Sequence, residues 1–218
     1  MQEDFKNQLQ NTIGLWRKKG QKFVEEVIIE AAREAKGELR TKLSEQGIAE
    51  NWTSVVNFVE EILPEIAPSV ATLIVPRVDP LAQWLNLKII EWKPYKIEIS
   101  VTPQKHLQSH SSWEMSSLLA MAELSGRWLL EKHAPPGDFK IRVQKAELIS
   151  HNPGLGDCTV RCELDSSEFE VVMAELMKNG KGDYFLPIMI LSEGDVLMSQ
   201  VNFHFALHWT PLLNRKSE

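Results

Sequence analysis

The chain has 218 residues, of which 43% are hydrophobic and 25% charged, a balance typical of a globular protein. The formal net charge of -6 argues against a nucleic-acid partner, which would favour a basic surface. No apolar run reaches the length of a membrane span, and the acidic first residues do not form a signal-peptide pattern. We therefore expect a cytoplasmic protein that is not integral to a membrane.

The cysteines and two of the histidines share a spacing that excludes two kinds of site. Cys158 and Cys162 lie four apart in one predicted strand, so their Cα atoms would be roughly 13 Å apart, too far for a disulfide between them. His204 and His208 have the same spacing on the last predicted strand and cannot share one metal ion. We expect reduced thiols and no metal site.

Residues 1–79 are predicted to form a helical extension. Six apolar residues recur at helical spacing along its longest helix: Phe23, Val27, Ala31, Ala35, Leu39 and Leu43. Such a stripe favours a layer that covers the main domain or a partner subunit. The alternative, an interfacial membrane arm around Trp16, is less favoured because acids flank the stripe as often as bases.

Residues 80–211 are predicted to form an α+β domain. Strands are expected at 87–92, 95–101, 139–148, 157–164, 184–191 and 197–209, with a short helix at 167–178 that Ser166 or Ser167 would cap. The apolar residues of the third strand are odd-numbered up to Val143 and even-numbered after it, which indicates a bulge. Pro187 indicates an edge strand or a bulge. The late strands follow one another after short turns, so the sheet should be antiparallel.

A helix that is apolar on nearly every side is predicted within residues 106–132, and it carries Glu123 in its apolar run. A carboxylate in such a position is costly unless it is paired, protonated or used. One interpretation is a structural ion pair with Arg127, four residues on. Ser111 and Glu114 at the helix start fit a capping box, with Ser111 as the N-cap.

This order of elements, with Ala122-Glu123-Leu124 within the long helix, resembles the hotdog fold, a curved antiparallel sheet around a central helix. It is similar to the superfamily of the hydroxybenzoyl-CoA and phenylacetate-type acyl-CoA thioesterases, in a branch known only as thioesterase-like. The resemblance covers about residues 80–210. Where those enzymes carry His-Gly-Gly, this chain has Glu114-Met115-Ser116.

The resemblance implies a site at this helix. Glu123 would be the catalytic base or nucleophile, and the backbone N–H groups near Ser116 and Ser117 would polarise the thioester carbonyl. Glu114, Arg127 and the loop histidines His106 and His110 would bind substrate, although a solvated loop histidine is the commoner case. The apolar acyl pocket would lie between this helix and the odd-numbered face of the last strand.

Two functions follow. The first is a hotdog protein, homodimeric or a dimer of dimers, that hydrolyses or binds an acyl-CoA-type thioester without any cofactor. The second is a non-catalytic hotdog module that binds an acyl ligand or a partner protein through its helical N-terminal segment. The missing His-Gly-Gly favours the second, and Glu123 within the helix favours the first.

Overall fold

The structure is a computed structural model that describes residues 67–109, 112–152, 154 and 156–211, together with Val56 and Glu60. The chain divides into two compact units, residues 1–64 and 65–218. The predicted helical extension before residue 67 lies outside the described residues, apart from Val56 and Glu60, which are both helical. The predicted division into residues 1–79 and 80–211 stays a prediction.

Two helices precede the sheet, α1 (Ala67–Val78) and α2 (Pro80–Leu85). Asp79 separates them, and its carboxylate accepts the backbone N–H groups of Leu81 and Ala82 at 2.9 and 3.3 Å, which caps α2. Thr72 on α1 accepts the N–H of Ile89 through its hydroxyl at 2.9 Å. This bond ties α1 to the first strand of the sheet.

The core is an antiparallel sheet of six strands. In chain order the strands are β1 (Leu87–Lys93), β2 (Lys96–Val101), β5 (Gly137–Ser150), β6 (Cys158–Glu163), β7 (Lys181–Ser192) and β8 (Val196–Pro211). Their spatial order is β1-β2-β6-β7-β8-β5, and every neighbouring pair is antiparallel. A separate two-strand ladder joins β3 (Gln108–Ser109) to β4 (Ser112–Trp113). The predicted α+β class is confirmed.

The long helix α3 (Met115–Glu131) packs on one face of this sheet. Gly126 allows the close approach, because a Cβ atom there would lie 3.0 Å from Ile188 Cδ1 and 3.2 Å from Phe205 Cζ. Trp128 and Leu129, in the next turn, are 2% and 0% exposed. The prediction of a buried helix is confirmed for the face that meets the sheet.

The alternation predicted for β8 is confirmed, since Val201, Phe203, Phe205 and Leu207 are buried and His204 and His208 are exposed. The predicted bulge in β5 is also present, with the register against β8 shifting between Val143 and Lys145.

Pro187 lies in a central strand, and the register of that strand does not shift at this residue, so the predicted edge strand or bulge is wrong. Strand β7 pairs with β6 on one side and β8 on the other. Pairing with β6 ends at Ile188, whose partner is Cys162, and Pro187 lies just beyond it. Proline has no backbone N–H, and at Pro187 strand β6 no longer pairs with β7, so no hydrogen bond to β6 is lost there.

The short helix α4 (Ser166–Asn179) confirms the predicted element but not its cap. Asp165 is the N-cap, and its carboxylate accepts the N–H groups of Ser167 and Glu168, both at 3.0 Å. The carboxylate also accepts the Ser167 hydroxyl at 2.6 Å, so the serine that was expected to cap the helix instead supports the aspartate. Gly180, with φ of 70°, ends the helix.

Cys158 and Cys162 are both free and buried. Burial raises the pKa of the Cys158 thiol to about 12, and the nearby charge of Asp157 adds to the effect. Burial likewise raises the pKa of Cys162. The two thiols are therefore unreactive core groups.

Candidate functional site at the start of helix α3

The chain is held extended up to the first residue of α3. In the β3–β4 ladder Gln108 lies opposite Trp113, whose indole N–H donates to the carbonyl of Gly156 at 3.2 Å. The N–H of Glu114 donates to the carbonyl of Leu107 at 3.0 Å. These bonds prevent the helix from beginning before Met115.

The predicted capping box is therefore wrong. Glu114 is the N-cap, with φ of -66° and ψ of 135°, and its side chain makes no capping hydrogen bond. Ser111, the expected cap, lies outside the described residues. The two-residue ladder before the helix explains the difference, because Ser112 and Trp113 are strand residues and cannot form the first turn.

Two backbone N–H groups remain available at this helix start. The carbonyl of Glu114 accepts the N–H groups of Ser117 at 3.0 Å and Leu118 at 3.1 Å. The N–H groups of Met115 and Ser116 make no hydrogen bond within the described part of the chain. Both residues are exposed. An uncapped helix start with free N–H groups is a favourable place for an anion or a polarised carbonyl oxygen.

A cavity of about 290 Å³ lies beside the same turn. Nine residues line it: Ser112, Trp113, Leu118, Ser150, His151, Asn152, Gly154, Met198 and Ser199. Met115 and Ser116, which carry the two free N–H groups, lie in the sequence between the lining residues Trp113 and Leu118. Ser150, His151 and Asn152 are exposed and form the rim, whereas Met198 and Ser199 are each 1% exposed and form the floor.

A bulge in β8 builds that floor. Ser199 pairs with Ile190 and Leu197 pairs with Leu191, so Met198 is an extra residue between them. A bulge of this kind redirects a side chain that regular alternation would place on the opposite face. Met198 and Ser199 are consequently both buried, although they are consecutive in one strand.

The loop after β5 closes over the Met198 side chain. The N–H groups of His151 and Asn152 both donate to the carbonyl of Met198, at 2.8 and 3.1 Å. A Cβ atom on Gly154 would lie 1.9 Å from Met198 Cε, so only glycine fits there without displacing the methionine. The bulge and the glycine together fix the inner wall of the cavity.

Glu123 lies on the exposed side of α3 and on the same face as Ser116, because seven residues make nearly two full turns. It is half-buried and makes no hydrogen bond or ion pair within the described part of the chain. Helical side chains lean toward the N-terminus, so its carboxylate covers the turn before it. Seven residues separate Ser116 and Glu123 by roughly 10 Å along the helix axis, and this lean shortens the distance from the carboxylate to Ser116.

The expected ion pair between Glu123 and Arg127 is replaced by another. Arg127 lies 3.6 Å from Glu131, one turn further along α3. Burial raises the pKa of Glu131 and the charge of Asp79 raises it further, while Arg127 lowers it. Arg127 thus compensates a desolvated carboxylate, and its own Nε atom is buried without a hydrogen-bond partner.

The remaining predicted site residues are dispersed. Ser117 is 1% exposed, and its N–H is already used by Glu114. His106 is exposed, lies 3.1 Å from the carbonyl of Trp84 through Nε2, and packs on the Trp84 ring at 4.8 Å. His110 lies outside the described residues. The roles predicted for Glu123, Ser116, Ser117, Glu114, Arg127, His106 and His110 stay predictions.

Sequence reasoning missed the floor of the cavity. Met198 and Ser199 follow Leu197 without any break in the pattern that would mark a bulge, and Gly154 appears only as part of a turn. The one available signal was a serine at a core-facing position of an otherwise apolar strand face.

In the described part of the chain, no helix is both long and apolar enough to cross a membrane. Within those residues, no group of three or more His, Cys, Asp or Glu side chains is placed to bind a metal ion.

Comparisons with known proteins agree on the fold. No protein-family model matches the sequence, and no curated protein matches it significantly. A crystal structure of a probable thioesterase of unknown function from Pseudomonas aeruginosa is similar, with a TM-score of 0.57, 20% identity, and coverage of 65% of this chain and 95% of that one. A Chlorobaculum tepidum protein of unknown function also has a TM-score of 0.57, with 14% identity and coverage of 66% and 97%.

A thioesterase from Haemophilus influenzae has a TM-score of 0.52, 13% identity, and coverage of 69% of this chain and 94% of that one. The Pseudomonas and Haemophilus neighbours are thioesterase-like hotdog proteins. The predicted hotdog fold is therefore confirmed, with α3 as its central helix.

Proposed function

We propose that this chain binds an acyl thioester, of the acyl-CoA type, at the start of α3 and hydrolyses it with Glu123. The observation that carries this proposal is the pair of free N–H groups on Met115 and Ser116, beside a cavity and on the same helix face as an unpaired carboxylate. Two of the structural neighbours are described as a probable thioesterase and a thioesterase, which supports the same reaction class.

In this mechanism the thioester carbonyl oxygen accepts the N–H groups of Met115 and Ser116, which stabilise the negative charge that develops during attack. Glu123 removes a proton from water, and the resulting hydroxide adds to the carbonyl carbon. The C–S bond then breaks, the thiolate leaves, and the proton returns to it. Direct attack by the Glu123 carboxylate, followed by hydrolysis of the anhydride, is the other route from the same geometry.

The proposal also covers the oligomeric state, the compartment and the substrate. The active unit is a homodimer or a dimer of dimers in the cytoplasm, with a CoA thioester as substrate and no bound cofactor. The edge strand β5 supports self-association, because it pairs only with β8 and has its other edge free within the described sheet.

The test measures thiol release from a panel of acyl-CoA thioesters, with Glu123→Gln as the diagnostic variant. We expect a loss of 10²- to 10⁴-fold in kcat, the usual range for removing a general base. The melting temperature should not change, because Glu123 makes no ion pair in the described structure. Glu175→Gln, an exposed position on α4, is the matched control and should retain full activity.

The second candidate is a non-catalytic module that binds an acyl ligand or a partner protein, with the N-terminal segment as the contact. The N-cap position favours it, because Glu114 and Met115 stand where the related enzymes have His-Gly. Absence of turnover with every thioester, combined with a bound lipid detected by mass spectrometry, would replace the enzyme proposal with this one.

A further inference from the structure

A buried hydroxyl faces the cavity without a protein partner. Ser199 is 1% exposed and lines the cavity, and its Oγ makes no hydrogen bond within the described part of the chain. The hydroxyl therefore reaches the open space of the cavity, where water or a ligand can hydrogen-bond to it. A ligand that displaced this water without replacing its hydrogen bond would leave the hydroxyl unsatisfied, at a cost of about 1–3 kcal/mol.

The cavity is small for an acyl pocket. Its volume of about 290 Å³ lies at the lower end of ligand sites, which are usually about 300–1,000 Å³. Met198 closes its inner end, where it packs against Gly154. The predicted pocket along the odd-numbered face of β8 is filled beyond this point, since Val201 and Phe203 are 0% and 1% exposed. A long acyl chain has no space to extend there.

The rim of the cavity is polar as well. Asn152 donates through Nδ2 to the carbonyl of Leu197 at 2.8 Å, which fixes its amide and leaves Oδ1 without a hydrogen bond in the described part of the chain. Ser150 lies directly opposite Ser199 in the β5–β8 ladder. A purely apolar acyl group would bury Ser199 and cover these rim groups without replacing their hydrogen bonds to water.

We propose that the cavity is a specificity pocket for compact acyl groups that carry a hydrogen-bonding substituent, and that the Ser199 hydroxyl recognises this substituent. This inference rests on the proposed thioester function. It assigns to Ser199 a role in selection rather than in the chemical step, because the free N–H groups and Glu123 lie on a different element, α3.

The test compares two acyl-CoA substrates that differ only in one hydroxyl, 3-hydroxybutyryl-CoA and butyryl-CoA, with palmitoyl-CoA as the long-chain comparison. The wild-type protein should have a kcat/KM for the hydroxylated substrate about tenfold above that for butyryl-CoA, the value of one neutral hydrogen bond. Palmitoyl-CoA should be the poorest substrate. Ser199→Ala should abolish the preference by lowering kcat/KM for the hydroxylated substrate alone.

Stability provides a second readout for the same variant. Because the Ser199 hydroxyl has no protein partner in the described structure, Ser199→Ala should leave the melting temperature unchanged or raise it. Ser100→Ala, at a half-buried serine of β2 that does not line the cavity, is the matched control and should preserve the substrate preference. Equal loss on both short substrates, or a fall in melting temperature, would overturn the assignment.

Non-hydrolysable thioether analogues of the two short substrates separate this inference from the proposed hydrolysis. If the protein binds the hydroxylated analogue about tenfold more tightly and Ser199→Ala removes the difference, the pocket assignment stands even without turnover. Turnover of both substrates with no difference in binding would leave the thioesterase proposal in place and refute the role of Ser199.

Discussion

Two regions of the molecule differ in whether their carboxylates have charged partners. On β1, β2 and β6, Glu98 accepts a hydrogen bond from Arg161 and lies 3.0 Å from Lys96, and Arg161 also reaches Asp195 at 3.2 Å. Burial alone would raise the pKa of Glu98, but the hydrogen bonds from Arg161 and Lys96 lower it. Every charge in this cluster has a partner.

At the start of α3 the same kinds of group lack partners. Glu123 forms no ion pair and Ser199 makes no hydrogen bond within the described residues, and the first two helical N–H groups are free. The cluster around Glu98 satisfies its own charges, whereas the open groups near α3 would be satisfied by the ligand of the proposed function.

After Glu123→Gln, the largest effect should come from removing one free N–H group. Proline is tolerated at the first position of a helix, and Glu114, with ψ of 135°, already has the extended conformation that a following proline requires. Met115→Pro should therefore fold normally and lower kcat for thioester hydrolysis by about 10²-fold, the cost of losing one oxyanion donor.

Met115→Ala is the matched control, since it shortens the same exposed side chain and keeps the N–H group. Steady-state kinetics and circular dichroism on both variants make the comparison. If the two variants lose activity equally, the side chain rather than the N–H group matters, and the oxyanion role fails.

Substitutions in the cluster around Glu98 should change the stability of the protein and not its activity. Glu98→Gln leaves Arg161 and Lys96 without their shared negative partner, and we expect the free energy of unfolding to fall by about 1–2 kcal/mol. Urea unfolding monitored by fluorescence measures this change. Glu163→Gln is the control in the same cluster, because its side chain is 52% exposed and lies 3.5 Å from Lys96, so it should shift stability by less than about 0.5 kcal/mol.

The smallest effect is the pH dependence of that stability. Because the pKa values of Glu91 and Glu98 are lowered in the folded state, their contribution is fully present above the ordinary carboxyl value of about 4.5. It is lost as the pH falls through the lowered folded values. Glu131 has the opposite effect on stability. Burial raises its pKa, so its charged form destabilises the folded state, and protonation in acid removes that destabilisation.

The stability difference between the wild type and Glu98→Gln should therefore be largest near neutral pH and shrink below about pH 4.5. Urea titrations at a series of pH values measure it. A difference that is constant from pH 7 to pH 3 would show that Glu98 stabilises the fold by packing and not by its charge.

Local periodicity predicted much of this fold. The alternation along β8 and the phase change after Val143 are visible because one face of each strand meets the core and the other meets solvent. The apolar helix was equally clear, since Leu118, Leu124 and Trp128 are placed by the same sheet.

The candidate site could be predicted only in part, because long-range backbone contacts define it. The capping-box pattern at Ser111 and Glu114 is locally valid, but pairing of Gln108 with Trp113 delays the helix start. Arg127 has a glutamate four residues away on either side, and in the structure it pairs with Glu131, whose carboxylate is partly buried. Neither the first residue of α3 nor the partner of Arg127 can be predicted from the local sequence.

The shared acceptor beneath the cavity has a dynamic consequence. The amides of His151 and Asn152 both rely on the Met198 carbonyl, so neither hydrogen bond can break by movement of the strand without releasing the other. The two amides should therefore exchange their hydrogens with solvent in one common opening event, with equal protection. A ligand that fills the cavity would slow both exchange rates together, even if it contacts neither amide.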